Sequence, residues 1–158
     1  MSNPVRIARY GGVHADLTVT ITPLLGPYAH VPITLRTVTT MNHDLAPKYA
    51  AVGGTQIAPV NLVLAGSAPK WDGEMNMIEA TEVQRKMGPG WAGIPINVQA
   101  HWRVSGNPQF SDFIYGTYLG PCSIASKKDD IVKAKIGAEC TAIHPRGIDP
   151  FAQRPGGP

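Results

Sequence analysis

The residues that could carry out acid–base, nucleophilic or metal chemistry are scattered through the chain. Metal ligands and catalytic nucleophiles usually come in short motifs, because their side chains must converge on one point. The sequence contains no CxxC, HExxH, GxSxG or P-loop pattern, and its histidines lie far apart, at His14, His30, His43, His101 and His144. We therefore expect no catalytic residue, no metal ligand and no cofactor, and a protein that is not an enzyme.

The acidic residues and one histidine have simple structural interpretations. Glu79 and Glu82 fall early in a predicted helix, where acidic side chains interact favourably with the helix dipole. His101 lies on the polar face of a predicted strand, where it could bind a ligand or line a pore. A histidine that is merely exposed is the commoner case at such a position.

The two cysteines are expected to be reduced thiols. The first residues, MSNPVRIARYGG, lack the apolar centre of a signal peptide, which predicts folding in the cytosol, where disulfides are rare. Cys140 lies on the apolar face of a predicted strand and is expected in the core. Cys122 follows Pro121 in a predicted connection, so an intermolecular disulfide stays open as an alternative for it.

The composition narrows the range of partners. The net charge of +3 is not gathered into a basic stretch with interleaved aromatic residues, as nucleic-acid binding would favour. No apolar run approaches the roughly 20 residues that a membrane helix needs. Charged residues are only 16% of the chain while hydrophobic residues are 43%, which indicates a surface covered partly by copies of the same chain.

The elements that would position these residues are mainly strands. In residues 96–104, INVQAHWRV, apolar and polar side chains alternate, which predicts a strand with one buried face. A second strand is predicted over 111–119, SDFIYGTYL, and a third, continuous one over 129–143, DDIVKAKIGAECTAI. We expect the last two to pair about the turn at 127–130, with Cys122 roughly opposite Ala134.

The first half of the chain predicts a long threonine-rich hairpin. Its strands are 16–22, DLTVTIT, and 33–41, ITLRTVTTM, in which β-branched residues predominate. The threonine face would be either a half-exposed sheet face or a surface that lines a channel or abuts another subunit. Residues 42–55, NHDLAPKYAAVGGT, have no clear period and predict a long connection, which in a compact domain is usually functional or bound to a partner.

One short helix interrupts the strands. Residues 78–87 are amphipathic, with Ile78, Val83 and Met87 on the apolar side, and Gly88 ends the helix. The order predicts a mainly β fold, an antiparallel β-sandwich or partly closed barrel with one short α-helix, a long N-terminal hairpin and extended loops. We expect a single domain over residues 1–158, with an N-terminal arm over 1–12 and an extended C-terminal tail over 144–158.

The second half resembles a known family in its order of segments. From Trp71 it runs through a short strand, WDGEMNM, a helix ending in glycine, ATEVQRKMG, the strand INVQAHWRV and the segment DFIYGTY. A turn with Ser and Lys, a strand that opens DDIVKAKI and the closing PRGIDP follow. In these features residues 71–150 resemble the tail tube proteins of contractile-tailed bacteriophages.

The resemblance implies a structural virion protein. Subunits of that family form hexameric rings, which stack into a tube inside a contractile sheath and form the channel for genome ejection. The implied partners are further copies of the chain, sheath and baseplate or terminator proteins, and DNA that passes without sequence-specific binding. The implied location is the virion tail, assembled in the host cytoplasm, with no membrane segment.

The resemblance also implies two sets of site residues. The family's hairpin joins its neighbours around the channel, which gives a candidate lumen or inter-subunit face: Thr18, Thr20, Thr22, Thr34, Arg36 and Thr40. The connection after it would reach the next ring, with candidate inter-ring residues Asn42, His43, Asp44, Lys48 and Tyr49. A threonine lining would be neutral and would let a polyanion slide.

Two other functions stay open. A related tube, hub or terminator component, or a secretion-system tube, would share the fold. A β-sandwich that binds a sugar or another small ligand would need exposed aromatic platforms, for which Trp71, Trp91 and Tyr49 are candidates, although buried anchors explain such residues equally well.

Overall fold

A computed structural model describes residues 15–52, 61–104, 109–125, 128 and 130–151 of the protein. The first six strands are β1 (Ala15–Pro23), β2 (Ile33–Leu35), β3 (Thr40–Asp44), β4 (Pro47–Val52), β5 (Asn61–Ser67) and β6 (Lys70–Asn76). Helix α1 (Met77–Met87) follows. The remaining strands are β7 (Ile96–Val104), β8 (Phe110–Thr117), β9 (Ser123–Ala125), β10 (Lys133–Ile136) and β11 (Ala142–His144). The predicted arm over residues 1–12 lies outside the described residues.

The described strands form two main sheets and a ribbon, all antiparallel. The larger sheet has the order β11-β8-β7-β1-β2 and the smaller one the order β3-β6-β10-β9, while β4 and β5 pair only with each other. Alternate side chains of the two main sheets share one core, built around residues such as Val19, Ile21, Leu35, Met75, Ile96, Ile114, Ile136 and Ile143. The sheets do not close into a barrel, so the mainly β prediction is confirmed as an antiparallel sandwich with a helix.

The predicted helix and the strand at 96–104 are both confirmed. Asn76 caps α1 by accepting a hydrogen bond from the backbone N–H of Ile78, and Gly88 ends the helix with φ of 82°. Val83 and Met87 are buried as expected. Ile78 was wrongly placed on the apolar side, since 71% of it is exposed at the start of the helix. None of the helices within the described ranges is long and apolar enough to cross a membrane.

The predicted third strand is two strands in different sheets. β10 pairs with β6 and β9 in the smaller sheet, whereas β11 pairs with β8 in the larger one. Gly137 separates them with φ of 125°, a conformation that residues with a side chain rarely adopt. The expected pairing of the second strand with the third is therefore confirmed only at its far end, where Ala142 lies opposite Tyr115. Closer to the turn β9 pairs with β10, and Ile124, not Cys122, lies opposite Ala134.

The predicted long hairpin is also shorter than expected. β1 pairs with β2 for three residues, with Thr20 opposite Thr34, and the chain then crosses to the other sheet as β3. The ladder stops because the carboxylate of Glu79 takes the next two backbone donors, at 2.8 Å from the N–H of Arg36 and 3.0 Å from that of Thr37. Backbone groups engaged in this way cannot continue a strand pair.

The predicted connection over residues 42–55 is mostly strand. Residues 42–44 complete β3, and β4 pairs with β5 in a two-stranded ribbon, with a register irregularity between Lys48 and Tyr49. Residues 53–60, which join the two strands of the ribbon, lie outside the described residues. An isolated two-stranded ribbon is marginal in water, which indicates that this one gains stability from a further surface.

The predicted extended tail begins later than residue 144. His144 belongs to β11, and Pro145–Gly147 form a 3-10 turn that packs on β8. The backbone N–H of Arg146 donates to Asp112 of β8 at 2.8 Å, which holds the turn in place. Residues 152–158 lie outside the described residues.

Candidate functional site

The outer face of the larger sheet carries most of the predicted threonine face. Thr18, Thr20 and Thr22 alternate along β1 with buried Val19 and Ile21. The register continues this face across the sheet, because Thr20 lies opposite Thr34 of β2 and opposite Gln99 of β7. Arg36 follows β2 at the edge of the same face. Thr40 does not belong to it, since it lies in β3 of the other sheet.

One end of this face contains an open cavity of about 430 Å³. Its lining residues come from three neighbouring strands and the segment after β2: Leu17, Thr18, Thr34, Arg36, His101 and Arg103. None of these six side chains is acidic, and two of them are guanidinium groups. The cavity therefore offers positive charge and hydroxyl groups, which suit an anionic ligand.

The imidazole of His101 is fixed between two neighbours in this face. One ring nitrogen, Nδ1, lies 2.8 Å from Oγ of Ser111, and the other, Nε2, lies 3.0 Å from Oε1 of Gln109. A neutral ring that donates from Nε2 to the amide oxygen can accept from the serine hydroxyl at Nδ1. The hydrogen bond between the Ser111 hydroxyl and the His101 imidazole holds the ring beside the cavity.

Aromatic side chains lie farther along the same face. The rings of Phe113 and Tyr115 stack with centroids 6.3 Å apart, and His144 meets Tyr115 edge-on at 4.9 Å. A small cavity of about 130 Å³ beside them is lined partly by Thr20, Thr22, Asn97 and Gln99. The face therefore changes from basic and hydroxylic at one side to amide-rich and aromatic at the other.

The five predicted inter-ring residues do not form one loop. Asn42, His43 and Asp44 lie in β3, while Lys48 and Tyr49 lie in β4 of the ribbon. The prediction of a loop is wrong because β3 pairs with β6 and β4 pairs with β5, so that only residues 45–46 separate two strands.

These residues differ in what they contact. His43 Nε2 lies 2.7 Å from Oδ2 of Asp112, a carboxylate that is only 4% exposed, so the imidazole links the two main sheets. Tyr49 by contrast is 63% exposed on the ribbon. An aromatic ring so exposed is typical of an interface anchor. The ribbon is thus the part of this set that is available to a partner.

The outer face of the smaller sheet has a different charge pattern. A cavity of about 320 Å³ there is lined by residues of β3, β6 and β10: Thr40, Asn42, Asp72, Gly73, Glu74, Lys135 and Ile136. Thr40 lies opposite Glu74, which lies opposite Lys135. The cavity lining has the acidic residues Asp72 and Glu74 beside the basic Lys135, so it lacks the positive charge of the cavity at Arg36 and Arg103.

Glu79 has a role that sequence analysis missed. Its Oε1 atom accepts hydrogen bonds from the backbone of Arg36 and from both the backbone and the hydroxyl of Thr37. The sequence predicts for it only a charge in the first turn of the helix. A partner about forty residues away leaves no local pattern. An acidic residue three positions after the helix cap Asn76 is nevertheless a signal that it could bind backbone donors.

Both cysteines are free thiols in surroundings that suppress reactivity. Cys122 is buried, which corrects the expectation that it could reach a neighbouring chain, and Cys140 packs partly against the core. Burial raises the pKa of Cys122, against a smaller lowering by a hydrogen bond with Gln84. Burial also raises the pKa of Cys140, to about 11.

We expect the folded protein to alkylate slowly. A pKa of about 11, against an ordinary 9.0, leaves about a hundredfold less thiolate at Cys140 at pH 8, because the thiolate fraction falls tenfold for each unit. Mass spectrometry after iodoacetamide treatment would measure this, with the chain in denaturant as the control. Rates equal to those in denaturant would contradict the burial of both thiols.

The aromatic platforms proposed for sugar binding are not supported at Trp71. This residue is 2% exposed, and its Nε1–H donates to the hydroxyl of Thr117 at 2.7 Å across the two sheets. Trp91 packs partly against the core. Of the three candidates, Tyr49 alone is strongly exposed, and it lies in the ribbon.

The described residues support neither a metal cluster nor a dinucleotide-binding loop. Within the described ranges, no group of three or more His, Cys, Asp or Glu side chains could hold a metal ion. Residues 88–93, GPGWAG, match the glycine spacing of dinucleotide sites, but they follow a helix and precede a strand. Dinucleotide binding uses the opposite order, strand then helix, so the pattern lacks its context.

Comparison with known proteins gives a structural relationship and no sequence relationship. No family model matches the chain, and no curated protein is similar to it in sequence. The fold is similar to that of a chain in the six-fold symmetrised cryo-EM structure of the anti-feeding prophage baseplate. The TM-score is 0.54 at 9% identity, and the match covers 91% of this chain and 96% of the other. At this identity the likeness shows a shared fold.

Proposed function

We propose that the chain is a structural, non-enzymatic component of a contractile injection system, and that copies of it form a ring around a channel. The observation that carries the proposal is the fold likeness to a baseplate chain, because it spans nearly the whole of both chains. The segment order from Trp71 onward, which resembles that of contractile-tail tube proteins, supports the same class.

The open sheet edges support association with further copies. Within the described residues, β2 and β11 end the larger sheet, and β3 and β9 end the smaller one. Unpaired edges present free backbone donors and acceptors, which a neighbouring chain can pair. Exposed Ile124 on β9, with Ile131 and Val132 before β10, adds apolar surface near one of these edges.

In the finer form of the proposal, the rings stack into a tail tube. The outer face of the larger sheet, with Thr18, Thr20, Thr22 and Thr34, would line the channel through which DNA passes. The ribbon with Lys48 and Tyr49 would reach the next ring. The remaining partners would be sheath and baseplate or terminator proteins in a virion tail that assembles in the host cytoplasm, and the whole chain would act as one domain.

A second candidate is a hub ring at the base of such a tube. It is favoured by the fact that the similar chain belongs to a baseplate. The two candidates differ in stacking, because a tube subunit adds identical rings whereas a hub ring ends after one or a few layers.

Negative-stain microscopy of the purified chain, with its solution mass, tests the proposal. A tube subunit is expected to give hollow tubes, and a hub subunit isolated rings, in both cases with six-fold symmetry. A chain that stays monomeric when concentrated, and that does not join rings of partner proteins, would contradict both candidates.

We expect Tyr49→Ser to leave the sandwich folded and to stop rings from stacking. The side chain is exposed on the ribbon, so its loss removes an anchor for the next ring and little of the core. Microscopy would show single rings in place of tubes. The control is Tyr118→Ser, the same change at a 43% exposed tyrosine outside the ribbon. Equal stacking by both variants, or equal loss, would contradict the role of the ribbon.

A further inference from the structure

We propose that the cavity between β1, β2 and β7 binds a phosphate group, and that this phosphate belongs to the backbone of a nucleic acid lying along the outer face of the larger sheet. The choice of nucleic acid rests on the proposed function, in which this face lines a channel. The choice of phosphate rests on the cavity alone.

The charge of the cavity favours an anion. Arg36 and Arg103 are both exposed, and neither forms a salt bridge with a described side chain. The acidic residue that the register places nearest is Asp16, opposite Arg103 in β1. The six side chains that line the cavity include two guanidinium groups and no carboxylate, and guanidinium groups bind phosphate oxygens through paired N–H donors.

The backbone holds the two arginines at a separation that one phosphate can bridge. Arg103 lies in β7, two strands from the β2 edge, or about 10 Å at the usual strand spacing. Arg36 follows β2, and Glu79 fixes its backbone through the 2.8 Å hydrogen bond to its N–H. Both long side chains line the same cavity, so both can contact one ligand bound in it.

Uncharged groups complete the cavity. The hydroxyls of Thr18 and Thr34 line it and can donate hydrogen bonds to phosphate oxygens. His101 already has a partner at each ring nitrogen, so it shapes the wall. Glu79 is a positioning residue in this arrangement, because it acts through the backbone of Arg36 and does not line the cavity.

The shape of the site favours a polymer over a small phosphate compound. The cavity opens onto a strand face and is not enclosed, so a chain can run across it in both directions. Two strands away from β1 on the same face, the rings of Phe113 and Tyr115 offer apolar surface next to the amides of Asn97 and Gln99. The face therefore extends beyond the basic site, as a ligand longer than one phosphate requires.

The proposal changes the expected nature of the channel. The threonines alone predict a neutral lining over which DNA slides. With Arg36 and Arg103 included, each subunit would add two positive charges to the channel wall. The subunits of one ring would together form a band of positive charge around the channel. Such a band would hold DNA by its phosphates without reading its sequence.

The test is binding of a labelled short DNA duplex, followed by fluorescence anisotropy over a series of salt concentrations. The variant Arg36→Gln/Arg103→Gln is expected to bind about tenfold or more weakly, with a salt slope smaller by about 2, one for each lost phosphate contact. The control Arg85→Gln/Lys86→Gln removes the same charge from the end of α1. Asp16→Asn is expected to bind more tightly than the natural chain.

A second probe separates the phosphate site from the nucleic acid. Inorganic phosphate is titrated into the isotope-labelled chain, and the amide NMR signals near Thr18, Thr34 and Arg103 are expected to shift. Shifts without duplex binding would keep the phosphate site and overturn nucleic acid as its source. Equal duplex binding by the two double variants, or no shift at these amides, would overturn the site. Ring formation in microscopy is scored separately, so failure here is distinguishable from failure of the proposed function.

Discussion

Gly137→Ala is expected to lower the free energy of unfolding by about 3 kcal/mol or more. The residue has φ of 125°, and a side chain in this region carries a strain of about 1–3 kcal/mol. The added Cβ would also overlap the carbonyl group of Trp71 and lie 2.5 Å from Cα of Asp72. These are backbone atoms of β6, which cannot move aside without disturbing the sheet, so the steric cost adds to the strain.

The control for this variant is Gly93→Ala. Gly93 has no atom within 4 Å of an added Cβ and does not need a left-handed backbone. We expect its unfolding free energy to stay within about 0.5 kcal/mol of the natural chain. Urea denaturation followed by tryptophan fluorescence measures both variants. Equal midpoints for the two would show that the close approach of Gly137 to Trp71 is wrong.

The same glycine explains why the sequence predicted one strand where the protein has two. Alternation of apolar and polar residues continues through Gly137, from Ile136 to Ala142, and alternation is what a strand prediction uses. The break is imposed by Trp71 and by Gly120, which both pack against the backbone of Gly137. A contact between segments so far apart in the chain leaves no trace in the local period.

Local patterns did predict the elements that depend on local interactions. Strand β7 alternates over its whole length, and helix α1 has its acidic start, its basic end and its terminal glycine in the sequence. The hairpin failed at Arg36 because Glu79, a distant side chain, takes the backbone donors that a longer strand would need. The element bounds that the sequence does not predict are those set by contacts between distant segments, either hydrogen bonds or close packing.

The candidate site also depends partly on local patterns and partly on contacts between distant segments. The threonine face follows from the alternation along β1, and the structure places Thr18, Thr20 and Thr22 on one face as expected. The cavity depends on Arg36, His101 and Arg103, which the sequence separates and only the order of β2, β1 and β7 brings together. The sequence therefore predicts that this face is polar, but it does not predict that two positive side chains come together on it.

Asp112→Ala is expected to cost about 3 kcal/mol in unfolding free energy. The carboxylate is 4% exposed and accepts the backbone N–H of Arg146 at 2.8 Å, while its other oxygen lies 2.7 Å from Nε2 of His43. Removing it leaves one backbone donor and one imidazole without their partner in a largely buried place. Hydrogen bonds to a charged group contribute about 1.5–3 kcal/mol each, and His43 is partly exposed, which reduces its share.

Asp112→Asn is the matched control, because it has nearly the same shape and keeps one acceptor. We expect a smaller loss than for alanine. A double-mutant cycle with His43→Ala would measure the coupling across the sheets, which should be about 1 kcal/mol or more if the 2.7 Å contact is formed. Additive effects of the two changes would contradict that contact.

The contact between Asp112 and His43 also affects the ribbon, and through it the proposed assembly. The histidine lies in β3, and only Leu45 and Ala46 separate β3 from the ribbon, with the N–H of Ala46 bound to Asp44 at 2.8 Å. Asp112 therefore fixes the base of the ribbon through β3. In the proposed tube, we expect Asp112→Asn to form rings, because the sheet edges are intact, but to stack them less well, because the ribbon is less firmly oriented. Microscopy would contradict this if the variant lost rings and stacking together while circular dichroism showed a folded chain.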